Sequence, residues 1–194
     1  HLYYQHNPYG WAWGNMHWGH AVSEDLVHWR ELGISLYPRE YGDWAFSGSG
    51  FVAPDDRLGI AYTSTGRGEC LAFSADGGAT FDEIPENPVV QHKGRDPKVF
   101  WHAESEHWVM AVYDESDGRR WIAIYTSTDL REWVFASRVG GFYECPELFP
   151  LAVDGDPEQV KWVMYGADGE YILGDFDGRE FHTDGDRQRL WSGS

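Results

Sequence analysis

The sequence predicts an all-β chain made of repeated sheets of about four strands, an incomplete β-propeller of which three to four blades are covered. Three observations carry this expectation. Short runs rich in Val, Ile, Tyr, Phe and Trp alternate with Gly, Asp, Ser and Pro clusters along the whole length. No stretch sustains the 3.6-residue period of an amphipathic helix. A Ser/Asp turn unit also returns at intervals close to the length of one blade.

In chain order, His1-Leu2-Tyr3-Tyr4-Gln5 reads as a strand already under way. Strands are expected at Phe46–Val52, Leu58–Ser64, Glu69–Ser74, His107–Tyr113, Trp121–Ser127, Lys161–Tyr165 and Tyr171–Phe176. The repeat is clearest at Ser23-Glu24-Asp25-Leu26-Val27-His28-Trp29, which returns as Ser127-Thr128-Asp129-Leu130-Arg131-Glu132-Trp133. Ser74-Ala75-Asp76-Gly77-Gly78-Ala79-Thr80-Phe81 lies between them, and Asp175 to Phe181 is a weaker relative. The steps from Ser23 to Ser74, to Ser127 and to Asp175 are 51, 53 and 48 residues. In each unit a Ser or Asp and a second Asp tie down the turn backbone, and an aromatic ring staples it to the next strand. A sandwich with recurring Asp/Gly turns is the competing architecture. Four units allow at most four blades, with the first and last short of strands. Residues 1–194 are thus expected to be a single partial propeller domain with unpaired sheet edges.

Composition narrows the partners. A net charge of −17 disfavours nucleic acid and anionic membranes, which need a basic face. Neutral sugars remain compatible, and aromatics at 16%, with 11 Trp and 11 Tyr, suit both pleated strands and stacking on sugar rings. Cys70 and Cys145 are too few for a disulfide scaffold or a Cys-based zinc site, and are expected unbridged. No apolar run approaches the ~20 residues of a membrane span. Compartment and oligomeric state are not legible.

The chemistry is expected where first strands of successive blades converge. Phe46-Ser47-Gly48-Ser49, Arg95-Asp96-Pro97-Lys98 and Glu144-Cys145-Pro146-Glu147 each open a strand. Ser47 to Asp96 is 49 residues and Asp96 to Glu144 is 48, one blade each. Two carboxylates at matched positions would project into one cleft. Glycoside hydrolysis needs such a pair, one to protonate the leaving oxygen and one to attack or stabilise the anomeric centre. Arg95 could hold a carboxylate ionised or fork onto sugar hydroxyls. Asp96 also fits a buried pair with Arg95, and Glu144 a strand-start carboxylate in water.

Tyr4-Gln5-His6-Asn7-Pro8, Trp18-Gly19-His20-Ala21, Phe46-Ser47-Gly48-Ser49, Arg95-Asp96-Pro97, Glu144-Cys145-Pro146 and Tyr171 to Phe181 stand in the order and spacing of a known family. On these segments the chain resembles glycoside hydrolase family 32, the invertases, inulinases and levanases, over nearly all its length. The resemblance implies a five-bladed propeller that hydrolyses terminal β-D-fructofuranosides with retention, on sucrose, inulin or levan. It implies Glu144 as general acid/base and Asp96 as transition-state stabiliser gripping fructosyl hydroxyls. It implies Gln5, Trp13, Phe46, Ser47 and Arg95 as the fructose-site lining, with Trp11 and Trp18 close to Trp13. No cofactor or metal is implied.

The family's nucleophile is an Asp in a Trp-Met-Asn-Asp-Pro-Asn-Gly-type motif upstream of the Tyr-Gln segment, and no such motif occurs in this sequence. One blade back from Ser47 likewise falls before His1. The expectation is therefore an enzyme fragment without the nucleophile strand, the closing blade after Trp191 and the C-terminal β-sandwich, inactive by itself. A carbohydrate-binding propeller without catalysis is the alternative. A sialidase-like propeller is a third, but of the arginine triad it wants only Arg95 sits at an inner-strand start. His17 and His20 point to opposite faces of a strand, which disfavours a metal site. Asp154-Gly155-Asp156 and Asp184-Gly185-Asp186 read as turns.

Overall fold

The computed structural model describes residues 1–190, and the blade boundary read at Trp191 lies outside the described residues. All regular structure among them is β. The chain divides into two compact units, His1–Gln91 and His92–Ser194.

The first unit holds two antiparallel sheets. One is β1 (Leu2–His6), β2 (His17–Val22) and β3 (Arg30–Leu36), in that order. The other is β4 (Ala45–Val52), β5 (Leu58–Ser64), β6 (Gly68–Phe73) and β7 (Asp82–Glu83). Trp18, Leu36, Ala45, Ile60, Tyr62 and Ala72 form its buried core. The second unit begins with a sheet of β8 (Gly94–His102), β9 (His107–Asp114), β10 (Trp121–Ser127) and β11 (Val134–Gly140). Its other sheet is β12 (Glu147–Val153), β13 (Asp156–Tyr165), β14 (Glu170–Phe176) and β15 (Phe181–Thr183), with β16 (Gln188–Arg189) also on β14. Every residue of β9 is buried, which matches its near-continuous apolar run. Val109, Ile122, Ile124, Phe142, Leu148 and Met164 centre that unit's core.

All four sheets are sequential meanders, and the turn units explain why. Each joins the last two strands of its meander: β2 to β3, β6 to β7, β10 to β11 and β14 to β15. In the first, Ser23 Oγ accepts the Leu26 N–H at 2.8 Å, and Asp25 Oδ1 accepts those of Val27 and His28 at 2.9 and 2.8 Å. Ser127 and Asp129 repeat the pattern on Leu130, Arg131 and Glu132 at 2.9, 2.9 and 3.0 Å. The Trp29 and Trp133 indole N–H groups close both turns on the carbonyls of Leu26 and Leu130. Leu26 and Leu130 both take positive φ, 63° and 66°, and the tied backbone holds them there.

The expected short first sheet has three strands, in which β1 to β3 correspond to the second to fourth strands elsewhere. The last sheet is not short. Two strands of three and two residues, β15 and β16, share the edge of β14, too brief to leave a sequence pattern. Asp154 and Gly155, at φ 52° and 79°, make the β12–β13 hairpin turn, the two-residue turn that needs two positive φ values.

The turn carboxylates give a pH prediction. Bonds from the His28 imidazole and backbone hold Asp25 well below the usual carboxylate range. Asp76 is held at about 2 by the Thr80 N–H and hydroxyl. Asp129 and Asp177 are lowered chiefly by the N–H groups of Glu132 and Glu180. Depressed folded values mean that this stability is present above the ordinary aspartate pKa, ~4, and is lost as pH falls through the folded values. The thermal midpoint should drop between about pH 4 and 2, and Asp76→Asn should flatten part of that drop. A midpoint independent of pH over that range would refute the assignment.

Candidate active site

The second unit brings Arg95, Asp96 and Glu144 together. β8 carries a bulge between Arg95 and Lys98, where Asp96 and Pro97 face the single residue Val112 on β9. Bulges re-aim side chains; here Asp96 sits at φ +67°, a left-handed conformation that costs a non-glycine residue about 1–3 kcal/mol. Asp96 is buried, and its Oδ2 accepts the Cys145 N–H at 3.1 Å and lies 3.5 Å from that residue's Sγ. Glu144 and Cys145 are left-handed too, at φ 50° and 40°. The Ala167 N–H anchors them, reaching the carbonyls of Tyr143 and Glu144 at 2.8 and 3.1 Å. They precede β12 rather than opening it, since that strand starts at Glu147.

Arg95 bonds Glu144, and its charge also acts on Asp96. Its Nε and Nη2 both donate to Glu144 Oε1, at 2.9 and 2.5 Å. The guanidinium carbon lies 4.9 Å from the centre of the Tyr113 ring, and Nη1 is 3.8 Å from Glu115 Oε1. Burial opposes the Arg95 charge, but its bonds and charge contacts with Glu144 raise its pKa overall. Burial raises the Asp96 carboxyl; the two Cys145 donors and Arg95 oppose this, while the Glu144 charge adds to it. Each carboxylate is thus tied to the other's chain neighbour: Asp96 to Cys145, and Glu144 to Arg95. One is buried and disfavoured as an anion; the other is partly exposed and held by a fixed cation.

The first unit gathers Gln5, Trp13, Phe46 and Ser47. Gln5 Nε2 donates to Ser47 Oγ at 2.9 Å. β4 bulges between Ala45 and Gly48 as β8 does between Arg95 and Lys98. This register pairs Asp96 with Phe46, one residue from the Ser47 that spacing alone selected. Phe46 accepts the Trp18 indole N–H on its carbonyl at 2.9 Å and packs against Trp13, ring centres 5.6 Å apart. Of the three neighbouring tryptophans, Trp18 is buried, Trp11 is fully exposed, and Trp13 is the one that rests on Phe46.

Sequence reasoning missed Trp44, which meets the Trp13 ring edge-on at 5.0 Å, and Asp43, whose Oδ1 accepts the Trp44 and Gly66 N–H groups. It missed Tyr113 and Glu115 as well. Tyr113 is the registered partner of Arg95 on β9, and only strand pairing reveals it. His17 Nδ1 meets the Asn15 carbonyl and His20 Nε2 meets His1 Nδ1, so the two do not share a centre. Neither Cys70, buried in β6, nor Cys145 is in a disulfide, and burial pushes the Cys70 thiol up to about 12.

Comparison with known proteins places the chain. The model of the glycosyl hydrolases family 32 N-terminal domain matches residues 1–194. A levanase of Bacillus subtilis is 41% identical over 99% of the chain, which spans 33% of that protein. Invertase 2 of Saccharomyces cerevisiae is 34% identical over 98% of the chain and 42% of its own length. Among solved structures, a fructofuranosidase from Schwanniomyces occidentalis complexed with fructose superposes with a TM-score of 0.86. It shares 34% identity, over 97% of this chain and 43% of that one. The chain spans between a third and just under half of these relatives, and all 194 of its residues match the N-terminal domain of the glycosyl hydrolases family 32, the family to which it belongs.

Proposed function

We propose that these residues serve the hydrolysis of terminal β-D-fructofuranosides of the sucrose, inulin or levan type by a retaining mechanism on a five-bladed propeller. Family membership supports the reaction class, since the relatives include a levanase, an exo-inulinase and invertases. The observation that carries the residue assignment is the cross-tied pair: Arg95 on Glu144, and the Cys145 N–H on Asp96.

In this reading Glu144 is the general acid/base. As the more exposed carboxyl it can reach a leaving-group oxygen, and Arg95 fixes its orientation. Asp96 stabilises the transition state by gripping fructosyl hydroxyls. Gln5 and Ser47 supply hydroxyl contacts, while Trp13 and Phe46 supply an apolar face. The attacking carboxylate is that of the family's Asn-Asp-Pro motif, which does not occur among these 194 residues. Covalent catalysis depends on that group, because it splits one hard displacement into two easier ones.

A chain of the relatives' length carrying these residues should therefore release fructose from at least one of sucrose, inulin and levan. The 194 residues alone should bind such sugars without turning them over. Sugar analysis of both digests tests this. Failure of the longer chain to release fructose from all three overturns the assignment, whereas turnover by the 194 residues alone, abolished by Glu144→Gln, overturns only the dependence on the upstream carboxylate.

A further inference from the structure

The loop between β1 and β2 carries more than the fructose-site reading uses. Three aromatic rings stand in five residues, at Tyr9, Trp11 and Trp13. Trp13 rests on Phe46 and Trp44. Tyr9 and Trp11 stand out into solvent, with Trp11 exposed over its whole surface. A scattered exposed aliphatic needs no explanation, but clustered exposed rings mark a binding surface.

This loop is also held in shape. Asn7 Oδ1 accepts the Tyr9 N–H at 3.0 Å, and Asn7 Nδ2 donates to the Ala12 carbonyl at 2.7 Å. The Tyr9 ring meets His17 edge-on at 5.8 Å. The loop backbone that carries the rings is thus ordered before a ligand arrives, which lowers the entropic cost of binding. Gln5, Asn7, Tyr9, Trp11 and Trp13 line one cleft of about 680 Å³. Its wall joins the three rings to the Gln5 amide, the Asn7 amide being taken up in holding the loop. That combination suits a sugar, whose C–H faces pack on aromatic rings while its hydroxyls bond to amides.

Gln5 and Trp13 belong to both the cleft and the group assigned to the fructosyl ring. A chain whose terminal sugar occupies that group would continue along the cleft onto Trp11 and Tyr9. Sucrose ends after one further ring; a fructan does not. We propose that Trp11 and Tyr9 form an outer platform for the later fructosyl units of a fructan chain and set a preference for oligomeric and polymeric fructans over sucrose. The inference rests on the fructoside reading above and names the substrate class within it.

Titration of the 194-residue protein, followed by nuclear magnetic resonance, tests it with fructose, sucrose and a long inulin-type oligosaccharide as probes. The wild-type protein should bind the oligosaccharide more tightly than sucrose. Trp11→Ala should lower the oligosaccharide-to-fructose affinity ratio about five- to tenfold, the scale of one good aromatic contact. Trp11→Phe should keep part of the ratio. Since Trp11 packs nothing, its removal should not disturb folding. An unchanged ratio in both Trp11→Ala and Tyr9→Ala overturns the platform and leaves the fructoside reading standing. No saturable binding of any fructoside by the wild-type protein overturns that reading, and the platform with it.

Discussion

Gly94→Ala is expected to destabilise the second unit by about 1–3 kcal/mol, the range for forcing a methyl group into a filled space. A Cβ on Gly94 would lie 1.9 Å from the Tyr113 carbonyl oxygen and 2.4 Å from the His92 ring. The first obstacle is backbone in a central, fully buried strand, and it cannot rotate away as a side chain could. The start of β8 would have to move, taking with it Arg95, the next residue, and the two bonds by which Arg95 holds Glu144. Gly48 faces the same limit in the first unit, where a Cβ would fall 1.8 Å from the Ala61 carbonyl oxygen. Gly185 is the control: nothing lies within 4 Å of its Cβ position, so Gly185→Ala should stay within about 0.5 kcal/mol. Denaturant midpoints of the two variants measure the difference. Equal midpoints would show that β8 yields at no cost and that Arg95 is not held by this close approach.

Much of this architecture is visible in the residues because the repeat is chemical as well as periodic. Leu58–Ser64 and Trp121–Ser127 are strands to the residue, since both are bounded by Gly, Asp and Ser clusters. The reading fails where strands lose their apolar signal. Lys161–Tyr165 is only the buried-side half of β13, whose Asp156–Val160 arm is mostly exposed and carries Pro157. Strands of two or three residues, such as β7, β15 and β16, leave no pattern at all.

The site shows the same division. One-blade spacing leads from Asp96 to Glu144, and the structure joins the neighbours of both. What spacing could not supply is the backbone conformation. A left-handed Asp96 turns its carboxylate to the Cys145 N–H and leaves Arg95 free to take Glu144, so the pair is crossed rather than sequential. The equivalent bulges in β4 and β8 match Asp96 with Phe46, one residue away from the Ser47 that spacing selects. Local backbone that departs from regular geometry is least legible from propensity, and functional side chains often sit on it.

The central claim is that Glu144 delivers the proton to the leaving oxygen. In a fructoside-cleaving chain that carries these residues, Glu144→Gln keeps the size of the side chain and an oxygen for Arg95 to bond. Folding should be unaffected, while turnover of sucrose should fall by about 10³–10⁴-fold, because cooperating catalytic groups lose most of their effect together. The most direct measurement compares that loss between sucrose and an aryl fructoside whose leaving group departs without a proton. The account predicts that the aryl substrate keeps most of its glycosylation rate while sucrose loses nearly all of it. Equal losses on both substrates, or no loss on either, would contradict it.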